Sequence, residues 1–408
     1  MKPLGPIPSG FAAIDGELAI DGHKASDLVQ RAGGTPLFVY SRHLIERRVA
    51  SLRAAMPERL GIHFAMKANP FKPVLEAMSG LVDGFDVASA GELTMAFAAG
   101  ISPQKISFAG PGKRDAELAA AIHHGVTINL ESEGEAERAL AIASREGLVA
   151  RLAVRVNPDF DLKGSGMKMG GGAKPFGVDA ERVPALARHI LRSGAQWRGL
   201  HIFAGSQALS AEAIIDTQAQ TLDLAARLAQ EIGAPLPHCN LGGGFGIPYF
   251  PGDEPVDIAA VGAALNARFA DLPAALAQTE FNIELGRYLV GESGVYLTQI
   301  VDRKVSHGEV FLVVDGGLHH QLAASGNFGT VVRRNYPVAI ASRFDAPVAE
   351  EASVVGCLCT PMDRLAEKGG FPHGEVGDLV AIFCAGAYGA SASPAQFLGH
   401  GPAREILI

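Results

Sequence analysis

The stretch Ile62-His63-Phe64-Ala65-Met66-Lys67-Ala68-Asn69-Pro70 is the part of this sequence from which the fold can be worked out. Its apolar start predicts a short strand that ends at Lys67, and the Asn-Pro pair predicts a turn directly afterwards. A lysine in that position is either a solvated charge at the end of a strand or a nucleophile that bonds to a carbonyl group. The residues around it have to distinguish these two interpretations.

Seven more strands of the same kind are predicted after this one, and a helical stretch separates each from the next. The eight predicted strands are Ile62–Lys67, Gly84–Ser89, Ile106–Gly110, Thr127–Leu130, Leu152–Asn157, Gly199–Ala204, His238–Gly243 and Asn282–Arg287. Regular alternation of strands and helices predicts a parallel sheet. Eight strands in this length favour a closed (β/α)8 barrel, and an open doubly wound sheet is the structural alternative.

The pattern changes after Arg287, where β-branched and apolar segments are separated by short turns. The predicted strands there are Tyr296–Val301, Val310–Val314, Val354–Leu358 and Leu379–Phe383. They predict an all-β domain over residues 288–408, which residues 1–35 are expected to join. Residues 36–287 are expected to form the barrel. The predicted fold class is therefore α/β, a TIM-like (β/α)8 barrel plus a C-terminal β-barrel or β-sandwich domain.

Composition excludes several classes of function. The chain has 408 residues with a net charge of −8 and no run of lysines or arginines, so no nucleic-acid surface is expected. No signal peptide and no apolar run long enough to span a bilayer is present, so no membrane partner is expected. The four cysteines do not make a disulfide framework, and Cys357 and Cys359 have poor spacing for zinc. A cytoplasmic protein without a structural metal is predicted, with Cys357 as a core thiol.

Residues with useful chemistry follow the ends of the predicted strands, where barrels of this kind hold their active sites. The run Asn240–Gly246 contains four glycines, and its backbone N–H groups are suited to wrap a phosphate, although a tight turn is the alternative. Glu284 is suited to hold a protonated ring nitrogen or to pair with a nearby cation. A lysine nucleophile, a phosphate loop and a carboxylate are together what pyridoxal 5′-phosphate requires.

At these residues the sequence resembles the barrel-type, fold type III pyridoxal-phosphate decarboxylases, the family of diaminopimelate, ornithine and arginine decarboxylases. The matching stretches run in order along nearly the whole chain: FAMKANP (64–70), FDVASAGEL (85–93), RVNPD (155–159), KPFGV (174–178), GLHIFAGSQ (199–207), NLGGGFGIPY (240–249), ELGRYLV (284–290), VDGG (314–317), CTPMDRL (359–365) and GDLVAIFCAGAYG (377–389). The resemblance implies an amino-acid α-decarboxylase that works as a homodimer with shared active sites.

The resemblance also implies a role for each matched residue. Lys67 carries the cofactor as a Schiff base, Glu284 pairs with the pyridine nitrogen, and Cys359 of the facing subunit returns a proton to the decarboxylated carbon. The residues implied to bind the cofactor are Lys67, Asp86, Arg155, His201, Phe203, Ser206, Gly243, Gly244, Glu284, Arg287 and Tyr388. Those implied to contact the substrate are Asp363, Arg287 and Tyr388.

Departures from the family pattern concern the substrate. Phe203 stands where a histidine usually stacks on the ring, and Thr360 stands where an acidic residue usually meets the distal amine of the substrate. The arginine that diaminopimelate enzymes use for a distal carboxylate is missing from Gln321–Phe328, with Arg333 and Arg334 nearby but out of register. These features resemble a subset of the family associated with polysaccharide export or antibiotic pathways. Some of that subset decarboxylate amino acids tethered to an acyl carrier protein, so an unusual or carrier-linked substrate is expected.

Alternatives stay open for single residues and for the function. His201 is either a hydrogen-bonded histidine of the barrel interior or a neighbour of the cofactor ring. His319 and His320 either form a turn or face the substrate, and Asp363 either meets a substrate amine or caps a local turn. The alternative functions are diaminopimelate decarboxylase proper, an amino-acid racemase and a non-catalytic regulatory homologue. Racemases of this barrel type carry an arginine at the position of Glu284, which argues against the racemase.

Overall fold

The structure is a computed structural model that describes residues 1–164, 166–326 and 333–408. The chain divides into two compact units. The β unit consists of Met1–Arg48, Ile247–Glu254 and Arg287–Ile408, and the barrel unit consists of Val49–Gly246 and Pro255–Gly286. None of the described helices combines the length and the apolar character that a membrane-spanning helix requires.

Eight parallel strands close into a barrel in the second unit, which confirms the predicted fold class. The strand Arg151–Asn157 pairs with Gln196–Ile202 on one side and with Thr127–Leu130 on the other, and this second pairing closes the sheet. In chain order the barrel strands are Leu60–Ala65, Gly84–Val87, Ile106–Phe108, Thr127–Leu130, Arg151–Asn157, Gln196–Ile202, His238–Gly243 and Glu280–Leu285. The open-sheet alternative is therefore excluded.

Helices alternate with these strands, and local signals explain where they begin and end. In Glu133–Glu146 the Ser132 hydroxyl accepts a hydrogen bond from the N–H of Glu135 at 3.1 Å, and Gly147 ends the helix in the left-handed conformation. The helices of the barrel unit are Lys72–Ser79, Ala90–Ala98, Asp115–His124, Glu133–Glu146, Val183–Arg192, Ala211–Ile232 and Ile258–Ala270. The helix Arg42–Ala55 contributes residues to both units.

The sequence predicted Lys67 as the last residue of a strand. In the structure Lys67 lies instead in the one-turn 3-10 helix Met66–Ala68, which follows the strand Leu60–Ala65. The N–H of Asn69 donates to the carbonyl of Met66 at 3.0 Å, and the Asn69 side-chain oxygen accepts from the N–H of Phe71 at 3.1 Å. These bonds form in place of further strand pairing, so the strand ends two residues early. The Lys67 side chain is exposed at the carboxyl end of the barrel strand.

The β unit contains mixed sheets around an apolar core. The long strand Gly294–Ser306 pairs with Glu309–Val314, with Leu379–Ile382 and with Leu37–Tyr40. The strands of this unit are Ala12–Ile14, Glu17–Ile20, His23–Lys24, Leu37–Tyr40, Gly294–Ser306, Glu309–Val314, Val338–Ile340, Glu350–Val355, Arg364–Phe371, Leu379–Ile382 and Arg404–Leu407, and its helices are Ala25–Ala32 and the short Arg287–Val290. We expected Leu37–Tyr40 within the barrel segment, but its four buried residues complete this sheet instead. The domain limits at residues 35 and 287 stay a prediction.

Candidate active site

The carboxyl ends of the barrel strands bring together the residues that the sequence singled out in this unit. Parallel pairing sets Glu284 directly beside Gly243 on one side and beside His63 on the other. Lys67 follows the next strand end, and Asp86 lies one strand further, paired with Ala65. Because the register is fixed by the closed sheet, one end of the barrel carries a lysine, two carboxylates and a glycine turn.

Glu284 is the most constrained of these side chains. Its Oε2 lies 3.0 Å from Nε2 of His201 and accepts a hydrogen bond from the side-chain amide of Asn240 at 3.0 Å. Burial by itself would raise the pKa of this carboxyl, but the charges of His201, Lys67 and Arg155 outweigh it and lower the pKa to about 2. Glu284 is therefore a buried group that stays ionised at neutral pH.

Asp86 is buried beside His63, whose Nδ1 lies 3.5 Å from Oδ2 of the carboxylate. Burial is the largest single cause and lowers the pKa of His63, but the interaction with Asp86 and the charges of Glu284 and Asp83 together outweigh it and raise the pKa. Neither oxygen of Asp86 has a hydrogen-bond partner within the described ranges. This carboxylate is thus held in place by charge and still has unused capacity to accept hydrogen bonds.

Backbone hydrogen bonds connect the glycine turn, residues 242–246, to the segment that carries Ser206. The N–H of Ala208 donates to the carbonyl of Gly244 at 2.9 Å, and the N–H of Gly246 donates to the carbonyl of Ala208 at 2.8 Å. A side chain at Gly244 would place its Cβ 2.1 Å from the carbonyl oxygen of Gly205, and Gly244 has a φ of +82°. Only glycine allows this approach, so the turn keeps its backbone next to Ser206.

Phe203 and Gly243 complete this side of the barrel. Phe203 is half-buried at the end of its strand, where the sequence placed a ring that can stack. A Cβ at Gly243 would lie 1.9 Å from the carbonyl oxygen of Glu284, so the two neighbouring strands approach more closely than any side chain would permit. The glycines are therefore required by the barrel itself, which supports the tight-turn alternative alongside phosphate binding.

Arg155 belongs to a buried charge network that sequence reasoning missed. Its Nη1 donates to Oε1 of Glu131 at 2.9 Å, and both side chains are at least 92% buried. Glu131 also accepts the backbone N–H groups of Gly110 at 2.6 Å and Gly177 at 2.8 Å. Burial raises the pKa of Glu131, but the charges of Arg155 and Lys113 and these bonds lower it overall. Glu131 thus joins three strand ends and orients Arg155.

Replacing Glu131 with glutamine is expected to lower the free energy of unfolding by about 3–5 kcal/mol, because Arg155 is left buried without its counter-charge. The lowered pKa means that the carboxylate stabilises the fold above its unfolded-state pKa and loses this effect as pH falls through the folded-state value. The difference between the two proteins should therefore be largest near neutral pH and shrink on acidification. Thermal and urea unfolding at several pH values measure it.

The matched control is Glu133→Gln, which removes the exposed ion pair with Arg182 and should change stability by less than about 1 kcal/mol. Equal stabilities of the wild-type protein and the Glu131→Gln variant at neutral pH would contradict the assignment.

Arg287 and Tyr388 lie together in the β unit, as the sequence predicted for a shared role. The Arg287 guanidinium donates to the hydroxyl of Tyr249 at 2.6 Å and lies 4.8 Å from the ring centre of Tyr388. It also lies 5.4 Å from the ring centre of Tyr249. Burial raises the pKa of the Tyr249 hydroxyl to about 12, so this group stays protonated. Two aromatic rings therefore hold one cation in place.

The candidate substrate residues of the β unit differ in exposure. Cys359 is exposed. Asp363 is buried, and its two oxygens accept the backbone N–H groups of Leu318 at 2.6 Å and Leu358 at 2.9 Å. These bonds match the alternative in which Asp363 caps a local turn. Part of the window Gln321–Phe328, residues 327 and 328, lies outside the described residues.

The arrangement in the barrel unit fits a polar ligand of the kind expected from the sequence. The oxygens of Asp86 and the Nδ1 of His201 are buried and have no hydrogen-bond partner among the described residues. Buried polar atoms without partners are costly, and a bound polar group at the carboxyl end of the barrel would satisfy them. Lys67, Glu284 and Ser206 supply the amine, the carboxylate and the hydroxyl that pyridoxal 5′-phosphate requires.

Several residues of the site were not assigned from the sequence. His63, Asn240 and Tyr249 fall inside stretches that we quoted for other residues, and only the first two lie within a strand. Glu131 directly follows the strand Thr127–Leu130, so its strand-end position was an available signal, whereas Lys113 lies in a charged run before a helix and gave none. Only the closed barrel shows that they surround Arg155.

Comparison with known proteins gives one consistent result. Residues 42–291 match the family described as "Pyridoxal-dependent decarboxylase, pyridoxal binding domain". The chain is 37% identical over 383 residues to the L-glutamyl-[BtrI acyl-carrier protein] decarboxylase of Niallia circulans, covering 91% of this chain and 88% of the relative. It is 32% identical to the diaminopimelate decarboxylase of Archaeoglobus fulgidus, covering 98% of this chain and 93% of the relative.

A solved structure shares the fold across the whole chain. The diaminopimelate decarboxylase of M. jannaschii in complex with L-lysine superimposes with a TM-score of 0.88 at 25% identity, covering 98% of this chain and 93% of that one.

Proposed function

Because this chain belongs to the family of pyridoxal-dependent decarboxylases, we propose that it removes the α-carboxylate of an amino acid tethered to a carrier protein. The class of enzyme is an amino-acid decarboxylase with pyridoxal 5′-phosphate as its cofactor.

The observation that carries the reaction type is the ionised state of Glu284. A buried carboxylate whose pKa is lowered to about 2 can hold a proton on a basic ring nitrogen beside it without losing its own charge. When bound, pyridoxal 5′-phosphate supplies a conjugated ring that accepts the electron pair released as the carboxylate leaves. Glu284 keeps that ring electron-poor, and His201 and Asn240 keep Glu284 oriented.

The remaining residues have binding and proton-transfer roles in this proposal. Lys67 Nζ would hold the cofactor covalently, and Asp86 and Arg155 would interact with it. Ser206 and the N–H groups of Gly243 and Gly244 would bind its phosphate. Phe203 would offer the cofactor ring an apolar surface and no hydrogen bond.

We further propose a homodimer in which Cys359 of the partner subunit completes each site. Cys359 is exposed in the single chain, as a residue that acts in a neighbouring subunit must be. Its thiol returns a proton to the carbon that has lost its carboxylate.

The absence of the arginine that binds a distal carboxylate in diaminopimelate enzymes supports a tethered substrate. The expected arginine would fall within Gln321–Phe328, of which residues 321–326 are described. Among these six residues, Gln321 has a buried neutral amide whose nitrogen and oxygen have no hydrogen-bond partner in the described ranges. Arg333 donates to the carbonyls of Ser325 and Met362, and Arg334 lies 3.8 Å from the ring centre of Phe250. Both arginines are therefore committed elsewhere. A neutral amide suits the carbonyl of a side chain joined to a carrier better than it suits a free carboxylate.

Diaminopimelate decarboxylase is the second candidate, because relatives with that name match nearly the full chain. The two candidates differ only in the distal end of the substrate. They therefore predict opposite preferences between a free and a tethered amino acid.

Carbon dioxide release by the holoenzyme distinguishes the two. We expect L-glutamate joined as a thioester to an acyl carrier protein to react with a kcat/KM at least about tenfold higher than free L-glutamate or free meso-diaminopimelate. Unloaded carrier protein mixed with free glutamate is the matched control. Rapid formation of lysine from free meso-diaminopimelate would contradict the tethered substrate and support the second candidate.

A further inference from the structure

Three side chains with metal-binding atoms meet in the β unit, and none of them has a role in the proposed reaction. One donor atom each of His319, Cys357 and His400 lies within 4.8 Å of the other two. His319 follows the strand Glu309–Val314, and Cys357 follows the strand Glu350–Val355. His400 directly follows the short 3-10 helix Phe397–Gly399. Three separate segments of the chain thus converge on one point.

His319 is buried, and neither of its ring nitrogens has a hydrogen-bond partner in the part of the chain that the structure describes. A neutral imidazole has a free lone pair, which is the form that binds metals. A buried ring with two unused polar atoms is otherwise costly to keep.

The neighbour His320 holds the cluster in place. Its Nδ1 lies 2.9 Å from the hydroxyl of Tyr296, and its Nε2 lies 3.0 Å from the carbonyl oxygen of Gly401. The first contact fixes the loop of His319, and the second fixes the segment of His400. The rings of His319 and His400 are 5.0 Å apart between centres. The site is therefore formed without a metal and needs only small side-chain movements to close.

The surroundings carry the negative charge that a dication requires. The buried carboxylate of Asp363 accepts the backbone N–H of Leu358, the residue next to Cys357. The charge of Asp363 also interacts with His400. Acidic groups around a bound cation offset its charge and orient its ligands.

We propose that His319, Cys357 and His400 bind one Zn²⁺ ion in each chain. A tetrahedral zinc with Zn–N of about 2.0 Å and Zn–S of about 2.3 Å separates its ligand atoms by roughly 3.3–3.6 Å. The Sγ of Cys357 lies 3.9 Å from Nδ1 of His400, close to that value. Binding forms one Zn–S and two Zn–N bonds, and the thiol proton of Cys357 passes to solvent. The fourth position is left for water or another ligand.

The alternative is a weak hydrogen bond between Cys357 and His400, with the three residues simply packed together. That interpretation gives no partner to either nitrogen of His319. The sequence did not indicate this site, because its ligands are 38 and 43 residues apart. The Cys357–Cys359 spacing is the one that the sequence offers for zinc over a short distance, and it is a poor one.

Metal binding to the holoenzyme tests the proposal. Wild-type protein dialysed against Zn²⁺ and then against metal-free buffer should retain one zinc ion per chain. With Co²⁺ as the probe, the same site should show the thiolate-to-cobalt charge-transfer absorption of a tetrahedral site. Cys357→Ser should abolish that absorption, and both Cys357→Ser and His400→Ala should weaken zinc binding at least about 100-fold. His400 is exposed, so its removal leaves the fold intact.

Two controls separate this site from adventitious binding. Cys359→Ser removes an exposed thiol two residues away, and His373→Ala removes an exposed histidine of the same unit. Both should keep the full zinc stoichiometry and the cobalt absorption. Zinc should also raise the unfolding temperature of the wild-type protein and the controls but not of His400→Ala. Loss of all zinc from the wild-type protein on dialysis, or a charge-transfer absorption that survives in Cys357→Ser, would overturn the proposal.

Discussion

Replacing Lys67 with alanine should abolish decarboxylation and remove the visible absorbance of the bound cofactor. Lys67 supplies the amine that joins the cofactor covalently, and its positive charge helps to keep Glu284 ionised. Loss of a residue that forms a covalent bond in catalysis lowers kcat by roughly 10⁴-fold or more. Absorbance spectra with added cofactor and carbon dioxide release with the best substrate measure the two effects.

Lys72→Ala is the matched control for this variant. Lys72 is an exposed lysine five residues away, 3.6 Å from Glu76 on the same helix, and its removal should leave spectrum and rate unchanged. Substantial turnover by the Lys67→Ala protein would rule out a covalent role for Lys67. Full loss of activity in the Lys72→Ala protein would show instead that the local turn, rather than the amine, had been disturbed.

The Lys67→Ala chain also tests the proposed homodimer. Mixed with Cys359→Ala chains and allowed to exchange subunits, it should regain activity, because one of the two sites in each mixed dimer keeps both residues. Each variant alone should stay inactive. No recovery after verified subunit exchange would mean that Lys67 and Cys359 act from the same chain.

Glu284→Gln should lower kcat by about 10²–10³-fold while the cofactor stays bound, on the scale of removing one preorganised charge from an active site. The amide keeps the shape of the side chain but cannot hold a proton on the ring nitrogen through its own negative charge. The variant should therefore differ from Lys67→Ala, because its cofactor absorbance persists. Rapid-mixing measurements of carbon dioxide release and cofactor spectra separate these outcomes.

Glu280→Gln is the control, since Glu280 is exposed at the start of the same strand and should be replaceable without effect. The lowered pKa of Glu284 also fixes the sign of its pH dependence. The carboxylate is lost only as pH falls through about 2, so the acidic limb of the pH–rate profile should not arise from Glu284. A Glu284→Gln protein with wild-type kcat would refute the role given to this carboxylate.

Most of the barrel could be predicted because its signals are local. Apolar runs such as Thr127–Leu130 and His238–Gly243 have the predicted bounds in the structure, since each is bordered by strong turn or helix signals. A predicted strand boundary was wrong where a side chain forms a hydrogen bond that turns the backbone. The Asn69 side chain caps a turn that moves Lys67 out of its strand, and no periodicity in the sequence reports that bond.

The position of Leu37–Tyr40 shows a second limit. Residues 36–287 were expected to form the barrel, but a run of four apolar residues such as this one fits a barrel and a β sheet equally well. Its partner, Gly294–Ser306, lies more than 250 residues further along the chain. Pairing over such a distance depends on the surfaces that the two strands bury within the β unit, which local patterns do not record.

The sequence by itself determined the barrel, its cofactor and the candidate residues Lys67, Glu284 and Ser206, because these lie in short motifs at strand ends, where function follows from local order. Only the tertiary structure decided how Glu284 stays ionised, what Arg155 pairs with and where His319, Cys357 and His400 meet. The physical reason is that burial and charge pairing depend on distances in space. Residues far apart in the chain set those distances when the sheets close.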